Sequence, residues 1–88
     1  MAIKPQNIYK MEDDFKVRYL EIGALLRKER KVMMLTQQQL ADKVDKLDRA
    51  KISDIENGKE DFYFSTLLKI FAALDLEVEI KVRPKKTR

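Results

Sequence analysis

The stretch LEVEIKVRP, residues 76 to 84, constrains this chain most, because it alternates apolar and charged side chains with the period of a half-buried β-strand. Everything before it reads as helix. A single strand cannot satisfy its own backbone N–H and C=O groups, so it needs a partner strand. Two sources are open: the chain's own N-terminal arm, for example the stretch AIK, or a second chain.

With 88 residues the sequence makes one small domain, whose core is only just large enough to fold alone. It holds no cysteine and no histidine. Disulfides, thiolate or imidazole metal sites and every catalytic arrangement built on either residue are therefore excluded. Two glycines and no phosphate-cradling loop argue against a nucleotide site. An enzyme is the weakest functional class, and no cofactor is expected. The start, MAIKPQNIYK, lacks the apolar stretch of a signal peptide, and no apolar run approaches membrane length, so a cytoplasmic protein is expected. The net charge of +4 suits a polyanionic partner without requiring one.

Residues 1 to 11 have no sustained period and read as an arm. A first helix follows, with Phe15, Tyr19, Ile22, Leu25 and Leu26 on one face. Glu12, Asp13 and Asp14 fall in its first turn and Arg27, Lys28, Arg30 and Lys31 in its last, which complements the helix dipole. In LTQQQLADKV, Thr36 and Gln39 are spaced as a capping box and Leu35 and Leu40 as a hydrophobic staple. The next helix has Asp48 as its N-cap, Leu47 stapling to Ile52, and Ile52 and Ile55 facing inward. Gly58 ends it. KEDFYF reads as a loop, and Ser65 as the cap of a fourth helix in which Leu67, Ile70, Phe71 and Leu74 form one face.

Two short helices joined by a tight turn, with small Ala41 on the first, describe a helix-turn-helix. LTQQQLADKV followed by RAKISDIENGK resembles the Cro and phage-repressor (XRE) family, whose pattern is Thr-Gln, then Leu-Ala, then Ile-Ser and Glu-Asn-Gly. With LLRKER before and TLLKIFAAL after, the resemblance covers residues 22 to 76. LLKIFAALDLEVEI is similar to the HipB-like antitoxin branch, in which a strand replaces the fifth helix and pairs with its two-fold mate. The resemblance implies an all-α, lambda-repressor-like domain of four helices with a C-terminal β-strand pairing across a homodimer. Val78, Ile80 and Val82 would then lie over the helices, with the DNA-binding and dimerisation domain spanning residues 12–83 and a basic tail 84–88.

By the family pattern, the N-terminal part of the third helix faces base edges of double-stranded DNA: Arg49, Ala50, Lys51 and, one turn on, Asp54. Arg49 can donate two hydrogen bonds to guanine, Ala50 can touch a thymine methyl and Asp54 can accept from cytosine. An intrahelical pair with Arg49 or Lys51 is the alternative for Asp54. Lys51 is read as a phosphate contact before a base reader. Gln37 resembles the family glutamine that fixes the DNA backbone, with Gln38 either assisting or solvated. Asn57 and Lys59 fall where the loop after the recognition helix meets phosphate, their alternative being a C-cap and a solvated lysine. Ser53 is read first as a packing or backbone-bonding residue. Arg30 and Glu56 resemble a buried ion pair tying the first helix to the end of the third.

Three positions depart from the family. The turn VDKLDR is one residue longer, Met34 stands where a glycine commonly ends the first helix, and the aromatics FYF resolve into Phe64 in the core and Tyr63 as a phosphate donor. RPKKTR is a basic run that either favours DNA non-specifically or is a solvated end. The expected function is a dimeric transcriptional repressor on an inverted-repeat operator, its two recognition helices about 34 Å apart. The alternative is an antitoxin that restrains a HipA-type kinase toxin and autoregulates the shared operon.

Overall fold

The computed structural model describes residues 15–59 and 62–84. The expected arm, the acidic first turn at Glu12 to Asp14 and the last residues of the basic tail lie outside them. Four helices follow one another: α1 (Lys16–Val32), α2 (Gln37–Asp42), α3 (Arg49–Glu56) and α4 (Phe64–Ala73).

Three of the four helices close the same way. Leu35 N–H reaches Arg30 O (3.2 Å) and Met34 N–H reaches Lys31 O (2.9 Å), a pair of bonds that needs Met34 in the left-handed region, at φ 58°. The pattern recurs at α3, with Gly58 at φ 65°, and at α4, with Asp75 at φ 65°. Only α3 uses the residue that takes this conformation without a steric cost. The long turn between α2 and α3 is accommodated by Lys46, also left-handed at φ 59°. Arg49 is the first residue of α3, directly after the expected N-cap Asp48.

The caps expected of α2 and α3 are present. Thr36 Oγ1 accepts from Gln39 N–H (3.0 Å), Gln39 Oε1 accepts from Thr36 N–H (2.8 Å), and Asp48 Oδ1 accepts from Lys51 N–H (2.9 Å). The cap of α4 differs from expectation: Tyr63 is the N-cap, no side chain caps the helix, and Ser65 lies inside it. The chain enters α4 through Phe62, which packs on the core and sets its ring edge-on to Tyr19, with centroids 5.6 Å apart. Phe62 takes the inward place expected of Phe64, which is 52% exposed.

The core is Leu26 from α1, Leu40, Ala41 and Val44 from α2 and its turn, Ile52 and Ile55 from α3, and Leu67, Ile70, Phe71 and Leu74 from α4. Helices α1 and α3 approach closely at Gly23. A Cβ there would stand 2.4 Å from the Ile55 carbonyl oxygen and 2.5 Å from that of Glu56. Any side chain would push the two helices apart.

Beyond α4, Leu76 N–H closes on Phe71 O, and no further backbone hydrogen bond from residues 77–84 is made among the described residues. Among the described residues this segment forms no strand and pairs with none. Val78 packs half-buried on the core, but Ile80 and Val82 are 63% and 90% exposed.

Candidate nucleic-acid interface

Helix α3 is buried along one side and open on the other. Ile52, Ile55 and Glu56 face inward, while Arg49 and Ala50 are exposed and Lys51, Ser53 and Asp54 half-buried. This asymmetry follows from the sequence, since RAKISDIE carries its two isoleucines three residues apart.

The centre of the site is Glu56, a fully buried carboxylate. Arg30 donates to it through two nitrogens, Nε to Oε2 at 2.6 Å and Nη2 to Oε1 at 3.0 Å. The same guanidinium holds Leu35 O at 2.8 Å, fixing the entry to α2. Gln37 Nε2 adds a bond to Glu56 Oε1 at 3.1 Å, and Arg27 Nε a longer one at 3.4 Å. Burial pushes the Glu56 carboxyl upward, but the bonds from Arg30, Gln37 and Arg27 outweigh it and hold the group below its ordinary value. Arg30 is raised in turn, chiefly by its hydrogen bond to Glu56. The ion pair expected between these residues is therefore present.

From Glu56 the network runs outward to α3. Gln37 Oε1 accepts from Arg49 Nη1 at 3.3 Å, so both ends of its amide are engaged. Gln37 thus stands beside Arg49 at the edge where α2 and α3 begin. At the other end Arg27 Nη2 donates to Asn57 Oδ1 (3.0 Å), while Asn57 Nδ2 donates to Ser53 O (2.9 Å). Asn57 is the C-cap residue of α3, and the backbone carbonyl of Ser53 also receives the Asn57 N–H.

The remaining candidates are distributed around this row. Gln38 Nε2 bonds Asp42 Oδ1 along α2 at 2.8 Å. Asp54 forms no ion pair with Arg49 among the described residues. Lys59 is exposed, and its backbone N–H closes α3 on Asp54 O. Tyr63 is 81% exposed. From the sequence Arg27 reads only as a cation complementing the dipole of the first helix, although its position one turn before Arg30 puts both guanidinium groups on the α3 side of α1.

Among the described residues no cluster of carboxylates can hold a metal ion, and no helix is long and apolar enough to cross a membrane.

A helix-turn-helix family model matches residues 26–80. No curated protein matches the chain. Among solved structures, the chain is similar to the restriction-modification controller protein C.AhdI from Aeromonas hydrophila, at 31% identity and a TM-score of 0.67. That likeness covers 73% of this chain and 91% of the controller protein. The capped α2, the half-open α3 and the match across both place the chain in the helix-turn-helix family, among DNA-binding transcription regulators of the XRE type.

Proposed function

We propose that the chain is a sequence-specific repressor that binds an inverted-repeat operator as a homodimer. The observation that carries this reading is the anchored position of Arg49, exposed at the first turn of α3 and hydrogen-bonded to Gln37, which is itself fastened to a buried carboxylate. A guanidinium held there can donate a two-pronged bond to guanine in the major groove. Ala50 beside it offers a methyl for thymine, Asp54 an acceptor for cytosine, and Gln37, Gln38, Lys51, Asn57 and Lys59 supply the contacts that set the helix on the backbone. The likeness to a restriction-modification controller supports a regulatory task.

Two copies are required for tight binding, since one short helix reads only a few base pairs. The backbone of residues 77–84, which makes no hydrogen bond among the described residues, and the exposed Ile80 and Val82 support an antiparallel pairing of this segment with its two-fold mate. The toxin-binding role implied by the HipB-like resemblance has no observation that favours it, and the regulator reading is the one carried here. A footprint on the DNA upstream of the chain's own gene tests it. Two protected half-sites one helical turn apart are expected; protection of a single half-site, or none, speaks against the dimeric repressor.

A further inference from the structure

We infer that Arg27 is a DNA-backbone contact, forming with Asn57 a site for one phosphodiester oxygen at the C-terminal end of the recognition helix. The inference rests on the DNA-binding reading and adds a residue to it.

The first argument is charge. Glu56 carries one negative charge, and Arg30 answers it with two short bonds from a side chain only 10% exposed. Arg27 reaches the same carboxylate through one nitrogen at 3.4 Å, and its side chain is 43% exposed. Two guanidinium groups on one carboxylate leave a surplus positive charge, and the more exposed group is the one that presents it.

Unspent donors are the second. A guanidinium has five N–H groups. Arg27 uses one on Glu56 and one on Asn57, which leaves the remainder, including both on Nη1, without a protein partner among the described residues. These are charge-assisted donors that a phosphodiester oxygen can accept from.

Placement is the third. Arg27 and Gln37 donate to the same oxygen, Glu56 Oε1, so Arg27 continues the row that begins at Arg49. Its other anchor, Asn57, lies where α3 gives way to the loop that carries Lys59. A purely structural role would be to offset the negative end of the α3 dipole. That role predicts lost stability and no change in how salt affects binding.

The experiment compares wild type, Arg27→Gln and Arg18→Gln on two duplexes: one recovered from a random-pool selection and one of mixed sequence and equal length. Arg18, paired with exposed Glu21, controls for net charge. Affinity is measured across salt concentrations, with a thermal melt on each variant. Arg27→Gln is expected to flatten the slope of log affinity against log salt by about 0.9 on both duplexes, with base preference retained. Arg18→Gln is expected to leave the slope unchanged. An unchanged slope for Arg27→Gln with a lowered melting temperature overturns the inference alone, as does equal flattening by both variants. A wild-type chain that binds neither duplex overturns the regulator reading and this contact with it. If Arg27→Gln does not fold, the Arg27 Nε–H resonance of the wild type decides: movement on titration with duplex supports the contact, and no movement rejects it.

Discussion

Gln37 Nε2 lies 3.1 Å from Glu56 Oε1, so the first residue of α2 is hydrogen-bonded to the last residue of α3. With Arg30 on the same carboxylate, α1, α2 and α3 meet at one buried charge. The exposed side of α3 is therefore braced by the group that ties the three helices together.

Removing Arg30 takes away both short bonds to that charge and leaves it the longer one from half-exposed Arg27 and the Gln37 amide. Arg30→Met is expected to cost about 3–5 kcal/mol, read from denaturant melts. The double variant Arg30→Met/Glu56→Leu should recover much of this, because no lone buried charge remains. A double variant as unstable as the single one would mean that the pair's packing, not its charge, is what matters.

The lowered Glu56 value also sets a pH dependence. A carboxyl whose folded value lies below its unfolded one binds its proton more readily when unfolded, so its contribution to stability is fully present above the ordinary value of about 4.5. It is lost as pH falls from there through the folded value. Stability of Glu56→Gln should be flatter across this acid range than that of wild type. Parallel curves for the two would assign the acid loss to other carboxylates.

How much of this was legible in the sequence depends on the kind of signal. Thr36, Gln39 and Asp48 announced their caps because local spacing suffices for a hydrogen bond three residues away. The core positions Leu26, Ile52, Ile55, Ile70 and Phe71 followed from helical period, and Leu40 from its staple to Leu35. Phe62 and Phe64 exchanged places because a loop has no period to decide which aromatic turns inward. The third partner of Glu56 was missed for a similar reason: Arg27 lies 29 residues away along the chain, and only the packing of α1 on α3 brings the two together. Ser65 has a capping residue's chemistry, but the helix had already begun at Phe64.

Met34 is strained where a glycine would not be. Its left-handed φ of 58° costs an L-residue about 1–2 kcal/mol, and its side chain is 87% exposed, so little packing is lost on truncation. After the entropy of a more flexible unfolded chain is subtracted, Met34→Gly should stabilise by up to about 1 kcal/mol. A thermal melt should rise by a few degrees. An unchanged or lower melt would mean that the exposed methionine is held by contacts a single chain does not make.

Gly23→Ala should do the reverse. A methyl group 2.4 Å from the Ile55 carbonyl oxygen cannot be accommodated without separating α1 from α3, at about 1–3 kcal/mol. Calorimetry on the purified variant gives the value directly. A neutral result would show that the α1–α3 contact yields more easily than its spacing suggests.

The proposed two-chain assembly is checked by mass. Sedimentation equilibrium at micromolar concentration should give twice the 10.4 kDa of one chain, and Ile80→Lys should shift the balance toward monomer. A wild type that sediments as a monomer would return the C-terminal segment to pairing within its own chain.

Selection from a random pool of duplexes, carried out with wild type and with Arg49→Ala, addresses base reading by α3 most directly. The wild type is expected to enrich an inverted repeat, and Arg49→Ala to lose about 1–3 kcal/mol on that sequence with preference relaxed at one base pair of each half-site. A folded wild type that enriches no sequence, or an Arg49→Ala variant that loses equally on selected and random duplexes, would contradict it.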